Sequence, residues 1–232
     1  MLFLHEVHRV KGLRAHEFAA KYREWMGILG KTDYARLMWY GDHAHGTGPA
    51  YQVVTYTAIA DGRAWEELAR RLQRGDLQTW LRGIDELRHD VRSKILVPLH
   101  WSPIQAVNLD EVPTDGREHE RTLVMEDTGW PTAPLDDYTD FWHTDYHVPL
   151  TQGNFWYEVT ASFQPAFGTG LRPEAILWQK LFDNDKLMSL FAEGDETSEK
   201  SPTPGSFIEK ALQYRDQWES KLLRIPPWSP LY

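Results

Sequence analysis

One stretch of the sequence occurs twice, as RHDVRSKILVPLHWSPI at Arg88–Ile104 and as RDQWESKLLRIPPWSPL at Arg215–Leu231. The two copies align without a gap at an offset of 127, and seven of the 17 positions are identical. Both copies end in a Trp-Ser-Pro corner, which begins at Trp101 and at Trp228. Trp and Pro are uncommon residues, so chance is a poor explanation for the match. A repeat with so long a period indicates a duplicated domain rather than a solenoid.

The duplication divides the chain of 232 residues into two predicted domains. Repeat 1 covers residues 1–106, a polar linker covers 107–120, and repeat 2 covers 121–232. In each repeat the hydrophobic spacing predicts a strand, a helix, two strands, helical segments and a final strand. This βαββαβ order is that of the ferredoxin-like unit. We therefore predict an α+β fold made of two tandem ferredoxin-like repeats.

The last elements of the two repeats have similar patterns. Helical spacing of apolar residues extends to Val91 in repeat 1 and covers Phe207–Trp218 in repeat 2. The final strands are therefore predicted only at Lys94–Leu99 and Lys221–Ile225. Within repeat 2, residues 193–205 (EGDETSEKSPTPG) are charged and rich in Ser, Pro and Gly, which predicts a loop.

Composition excludes several functional classes. The net charge of -9 is spread along the chain without a basic patch, so no nucleic-acid partner is expected. The absence of Cys excludes disulfides, thiol catalysis and thiolate metal sites. The apolar start, Met1–Leu4, is too short for a signal peptide, and no apolar run approaches membrane-spanning length. We expect a cytoplasmic protein without membrane contact. The 11 Trp residues suit both a core and an apolar pocket.

Motifs in both repeats are similar to those of known proteins. Repeat 1 contains His5-Glu6-Val7, Glu17-Phe18, Gly46-Thr47-Gly48, Val53-Val54, Asp61, Trp65-Glu66, Lys94-Ile95-Leu96-Val97-Pro98 and Trp101-Ser102-Pro103. Repeat 2 contains Phe141-Trp142 followed by His147-Val148-Pro149-Leu150. The first set resembles NIPSNAP-type domains of the dimeric α/β-barrel superfamily. The second set resembles the EthD-type branch of that superfamily, with one residue more between the Trp and the His.

The resemblance implies that two four-stranded antiparallel sheets form an α/β barrel, here within one chain. Members of this superfamily include cofactor-free enzymes, haem-binding enzymes and proteins without a known activity, and we expect a small-molecule enzyme that needs no cofactor. The expected activity is that of an oxygenase, isomerase or cyclase on a hydrophobic or aromatic substrate, with His as acid/base. A haem- or metal-binding enzyme and a non-catalytic ligand-binding or interaction protein are the alternatives. The protein would be a monomer with an intramolecular barrel or a homodimer.

Two histidines of repeat 2 are the first catalytic candidates. His143 and His147 lie four residues apart on a predicted helix and should share a face. Pro149 biases Val148 away from helical geometry, so His147 is expected at the helix C-terminus. The helix dipole there favours a protonated imidazole. An acid/base role is the functional interpretation, and a surface or capping role is the structural one.

A second pair of candidates lies in a turn of repeat 1. His43 and His45 follow Asp42 in the segment DHAHGTG, and their spacing in an extended stretch places both imidazoles on one side. Such a pair can act in catalysis or bind a metal. A solvated hairpin turn is the favoured alternative, and we predict no metal site.

Glu6 is the remaining catalytic candidate. It alternates with Leu2 and Leu4 on the first strand and should be half-buried, so it needs a partner or a raised pKa. Glu126 stands 120 residues later and is taken as its counterpart in repeat 2. The functional interpretation is a catalytic acid. The structural one is an ion pair that holds the sheet.

Aromatic residues of both repeats are candidates for the wall of an apolar substrate pocket. For any single member of this set, a place in the core is the alternative. The candidates are Trp39, Trp142, Tyr146, Trp156 and Trp178.

Overall fold

The computed structural model describes residues 1–153, 155–192 and 205–232. The predicted loop at 193–205 lies outside these residues except for Gly205. The strands are β1 (Leu2–Val10), β2 (Ala35–His43), β3 (Gln52–Ile59), β4 (Arg88–Pro98), β5 (Thr122–Pro131), β6 (Tyr157–Pro165), β7 (Ala175–Leu181) and β8 (Arg215–Ile225). The α-helices are α1 (Ala15–Leu29), α2 (Gly62–Arg74), α3 (Gln78–Asp85), α4 (Leu135–Trp142), α5 (Val148–Gln152), α6 (Asn184–Ala192) and α7 (Phe207–Ala211). A π-helical turn, His143–His147, lies between α4 and α5.

The strands form one antiparallel sheet whose hydrogen-bonded order, β1-β3-β2-β8-β5-β7-β6-β4, is that of a closed barrel. Within each repeat the helices follow the first and third strands. The predicted α+β fold with tandem ferredoxin-like repeats and an α/β barrel is therefore confirmed. None of the helices in the described part of the chain combines the length and the apolar character that crossing a bilayer requires.

The chain divides into two compact units. Unit 1 contains Met1–Val97, Gln105–Thr122 and Leu222–Tyr232, and unit 2 contains Pro98–Ile104 and Leu123–Lys221. The Trp101 corner therefore belongs to unit 2 and the Trp228 corner to unit 1. The domain boundaries drawn from the repeat stay a prediction.

The core of unit 1 lies between its helices and the outer face of its strands. Helix α1 buries Phe18, Tyr22 and Leu29, at the spacing of one helix face. Trp25 of α1 stacks on Trp80 of α3, with ring centroids 4.3 Å apart. Burial of these large aromatic rings is the main contribution that this layer makes to stability.

Unit 2 has a corresponding helix layer. Tyr138, Phe141 and Trp142 of α4 are buried against Val159 and Leu177 of the sheet. Helix α4 therefore covers the sheet of unit 2 as α1 covers that of unit 1.

The final strands begin earlier than predicted. β4 starts at Arg88 and β8 at Arg215, and α7 ends at Ala211, so the predicted helix Phe207–Trp218 is wrong over its second half. A short apolar run fits both a helical and a strand period. In repeat 1 the strand is favoured over the helix because backbone pairing between β4 and β1 extends as far as Arg88.

Strand register defines which residues of the two repeats are equivalent. A β-bulge interrupts β2 opposite Tyr56 and interrupts β6 opposite Trp178, so these two positions correspond. His5 pairs with Tyr56, and Glu126 pairs with Trp178. Glu126 is therefore the counterpart of His5. The predicted equivalence of Glu126 with Glu6 is therefore wrong by one residue. Neighbouring residues of a strand point to opposite faces, so Glu126 and Glu6 lie on different sides of the sheet.

The true counterpart of Glu6 is Asp127. Glu6 pairs with Thr55 of β3, and Asp127 pairs with Leu177 of β7, each one residue past the bulge position. Two residues further along, His8 of β1 corresponds to Gly129 of β5 by the same register. These positions lie on the helix-facing side of the sheet in each unit.

Candidate functional site

The π-helical turn is the local feature that positions the two histidines of repeat 2. Val148 keeps right-handed helical angles, and the chain continues as α5, with Pro149 in its first turn. Proline is tolerated there because the first N–H groups of a helix have no intrahelical acceptor. The expectation that the helix ends at His147 is therefore wrong. A π-turn holds one residue more than an α-turn, which matches the extra residue between Trp142 and His147.

The two imidazoles stack beside one indole in unit 2. The ring centroids of Trp101 and His143 are 5.4 Å apart at 6°, and those of Trp101 and His147 are 5.2 Å apart at 29°. The two histidine rings are 6.0 Å from each other. Trp101 Nε1 donates to the Thr139 carbonyl at 3.0 Å, which fixes the indole plane. The predicted shared face of the histidines is confirmed, and the role of Trp101 as their platform was not predicted.

The surroundings of His147 favour its neutral form. Partial burial lowers its pKa, and His143 lowers it further. Its Nδ1 is buried without a hydrogen-bond partner among the residues that the structure describes. The helix C-terminus that was expected to favour a protonated imidazole is absent, because the helix continues past His147. A neutral imidazole keeps a lone pair, which a general base requires.

A hydrogen-bonded chain on the helix-facing side of unit 2 begins at Tyr146. The Tyr146 hydroxyl donates to Gln179 Oε1 at 2.5 Å, and Gln179 Nε2 donates to Asp127 Oδ2 at 2.8 Å. Burial raises the pKa of Asp127, although hydrogen bonds from Ser220 and Gln179 act in the opposite direction. Burial thus makes ionisation of the Asp127 carboxyl less favourable than in water. Sequence reasoning missed Asp127 because it selected the adjacent glutamate.

Glu6 belongs to a polar cluster of unit 1. Its carboxylate accepts hydrogen bonds from Tyr22 and Ser93, each at 3.3 Å. Tyr22 also contacts His8 Nε2 at 2.9 Å, and Arg88 Nη1 donates to His8 Nδ1 at 2.8 Å. Burial raises the pKa of Glu6. The structure thus places Glu6 in a closed network, and its catalytic role stays a prediction.

The structure separates the histidines of the predicted turn. His43 is buried at the end of β2, where its Nδ1 lies 3.3 Å from Gln52 Oε1, whereas His45 is exposed. A Cβ on Gly48 would meet the His43 ring, so the turn packs directly on this imidazole. No three His, Asp or Glu side chains in the described part of the chain group as metal ligands.

The predicted pocket residues lie in both units. Trp39 of unit 1 is buried and meets the ring of Tyr56 edge-on. Trp142 and Trp178 are buried in unit 2, and Tyr146 and Trp156 are half-buried there. Tyr146 lies next to the catalytic candidate His147 in the π-turn. The role of these residues as a pocket wall stays a prediction.

The fold of this chain recurs among solved structures. An anthrone oxidase-like protein matches with a TM-score of 0.61 at 9% identity, over 97% of this chain and 90% of that chain. A proposed monooxygenase from Lactobacillus acidophilus NCFM matches with a TM-score of 0.57 at 8% identity, over 99% and 97%. A NIPSNAP domain protein from Burkholderia xenovorans is 24% identical over 44% of this chain and 97% of its own, with a TM-score of 0.36.

This chain has the dimeric α/β-barrel fold. The resemblance to that superfamily, which the sequence motifs predicted, is confirmed. At these identities the likeness shows the fold alone. No model of a known protein family matches the chain, and no curated protein matches it.

Proposed function

We propose that this chain is an enzyme that acts on an aromatic or hydrophobic small molecule without a bound cofactor, with His147 as acid/base. The observation that carries the proposal is the neutral, half-buried imidazole of His147 beside Trp101. A base of this kind can remove a proton from a substrate that stacks on neighbouring aromatic rings. His143 lowers the basicity of its neighbour, so it acts as a tuning group.

The reaction class follows from the names of two proteins with this fold, an anthrone oxidase-like protein and a proposed monooxygenase. In such a reaction the base removes a C–H proton from an electron-rich ring system, and the carbanion reduces O₂. For anthrone, one oxygen atom becomes the new carbonyl of anthraquinone and the other leaves as water. The balance needs only anthrone and O₂, so no external reductant is required.

The proposal is tested by mixing the purified protein with anthrone in air and measuring O₂ uptake and anthraquinone formation. We expect turnover by the natural chain and a loss of at least about 100-fold in His147→Gln, since Gln cannot act as a base. The matched control is His100→Gln, because His100 is an exposed imidazole whose ring lies 6.1 Å from His143. Full activity of His147→Gln would contradict the assigned role.

A haem- or metal-binding enzyme is the alternative that the 10 histidines of the sequence support. An absorption spectrum with elemental analysis of the purified protein distinguishes it from the cofactor-independent enzyme. A Soret band or stoichiometric metal that is lost in His147→Gln would favour the alternative. Binding of anthrone without turnover would favour the non-catalytic ligand-binding protein.

A further inference from the structure

Arg88 and Arg215 occupy the same position of the two repeats, but their hydrogen-bond partners differ. Arg88 of repeat 1 starts β4 and is buried. Its Nη1 donates to His8 Nδ1 at 2.8 Å, and its Nε and Nη2 donate to Asp85 Oδ1 at 2.9 and 2.5 Å. The guanidinium of Arg88 thus has a carboxylate as partner for its charge and an imidazole as acceptor for Nη1.

Arg215 stands at the same place in repeat 2, and both of these acceptors are missing. Gly129 replaces the histidine by strand register, and Leu212 replaces the aspartate at the offset of 127. Arg215 is nevertheless only 5% exposed, and its Nε has no hydrogen-bond partner. It makes no ion pair within the described ranges. A buried guanidinium whose donors are not all satisfied is costly, even with a carboxyl such as Asp127 in the same region.

A second donor lies beside Arg215. The Tyr138 hydroxyl is buried next to the guanidinium, which can only donate hydrogen bonds, so the phenolic proton has no acceptor there. A Cβ on Gly129 would meet this hydroxyl. Because glycine has no side chain, the Tyr138 hydroxyl has room at this position. In repeat 1 the buried phenol of the corresponding cluster, Tyr22, has an acceptor in the Glu6 carboxylate.

The charge balance of the cluster indicates which ligand fits. Arg215 Nε and the Tyr138 hydroxyl are two buried donors without an acceptor among the described residues, next to a positive charge, and such a pair suits an anion. Asp127 is the nearby carboxyl on which Arg215 acts electrostatically, and its pKa is raised by burial. A monoanion fits beside this carboxyl better than the more highly charged phosphate does. The planar guanidinium also matches the two oxygens of a carboxylate.

We propose that Arg215 and Tyr138 form a binding site for a small carboxylate in unit 2. The ring of Trp218 lies 4.3 Å from the Arg215 guanidinium and is 48% exposed, so it covers the site from the solvent side. A carboxylate with an aromatic ring gains further contact with this indole. The site does not depend on the proposed function, because it uses neither His147 nor Trp101.

The probe is benzoate, with benzyl alcohol as the uncharged control and inorganic phosphate as the competing anion. Binding to the full chain is followed by calorimetry and by Trp fluorescence, since an anion at Arg215 changes the surroundings of Trp218. We expect benzoate to bind with a Kd below about 1 mM, and both benzyl alcohol and phosphate to bind at least about tenfold more weakly. Tyr138→Phe, which removes the phenolic donor, should weaken benzoate binding several-fold.

The decisive variant is Leu212→Asp, which supplies the carboxylate that Asp85 supplies in repeat 1. Leu212 is 45% exposed, so the change does not disturb the core. We expect Leu212→Asp to weaken benzoate binding at least about tenfold while raising the melting temperature, because the new ion pair satisfies Arg215. Leu212→Asn is the matched control without the charge. Equal benzoate binding by the two variants, tighter binding of phosphate, or no benzoate binding by the natural chain would overturn the proposal.

Discussion

The Ser102 hydroxyl accepts a hydrogen bond from the backbone N–H of Ser162, with 2.9 Å between Oγ and N. The Ser229 hydroxyl accepts from the backbone N–H of Tyr40 at 3.2 Å. Ser162 and Tyr40 occupy the same position after the β-bulge of their strands. Each Trp-Ser-Pro corner therefore provides the acceptor for a buried strand N–H, and these two N–H groups are equivalent in unit 2 and unit 1.

Loss of either hydroxyl should leave a buried N–H without an acceptor. We expect Ser102→Ala and Ser229→Ala each to lower the free energy of unfolding by about 1–3 kcal/mol, measured by urea denaturation. Ser93→Ala is the control, because its hydroxyl is exposed and should contribute less. Equal small effects at all three positions would show that the corners contribute through the Trp rings alone.

The stability of unit 1 should depend on the neutral form of His8. Burial lowers the pKa of His8 well below its usual value, and Arg88, which donates to Nδ1, lowers it further. Below about pH 6.5 the unfolded chain therefore binds a proton that the folded protein does not. The free energy of unfolding should fall by up to about 1.4 kcal/mol for each pH unit below that point. His8→Gln should remove this part of the slope between pH 7.5 and 5.5, and an unchanged slope would refute the prediction.

The ion pair between Lys221 and Glu126 lies inside unit 2. Lys221 Nζ is 3.0 Å from Glu126 Oε1, and the two side chains are 8% and 0% exposed. Glu126→Gln should lower the free energy of unfolding by about 3–5 kcal/mol, because it removes the buried partner of the ammonium and leaves only an exposed carboxylate beside it. The double variant Glu126→Leu with Lys221→Met should cost less than that.

Glu219 supplies the control for this ion pair. It also contacts Lys221, at 2.9 Å, but its side chain is 48% exposed. Glu219→Gln should therefore change the stability by less than about 1 kcal/mol, measured by chemical denaturation. A larger loss than in Glu126→Gln would show that the exposed contact holds the lysine.

Gly129 should tolerate no side chain while Tyr138 keeps its hydroxyl. A Cβ at this position would meet the Tyr138 hydroxyl and lie 3.0 Å from the Trp142 ring. We expect Gly129→Ala to lower the free energy of unfolding by about 1–3 kcal/mol, and Tyr138→Phe in the same chain to restore part of the loss. Gly27→Ala in α1 has open space around it and should stabilise the helix by about 0.5–1 kcal/mol. Thermal denaturation of the three variants decides between these outcomes.

The candidate site was only partly predictable. The spacing of His143 and His147 placed both imidazoles on one face, which the structure confirms. Their shared platform, Trp101, comes from a segment far away in the chain, and spacing along one helix carries no information about such a contact. The alignment of the repeats did hold a signal for Arg215, since Asp85 is replaced by Leu212 three residues before it. Its significance depends on the burial of the guanidinium, which only packing determines.

The sequence by itself determined the fold. Local hydrophobic periods specify strands and helices, and the repeat at Arg88 and Arg215 specifies that one unit occurs twice. Tertiary structure decided the register, which makes Asp127 rather than Glu126 the counterpart of Glu6. Glu126 and Asp127 are adjacent acidic residues of one strand, so the sequence pattern alone does not show which of them corresponds to Glu6. Only the hydrogen bonds between neighbouring strands, and the bulges within them, select one.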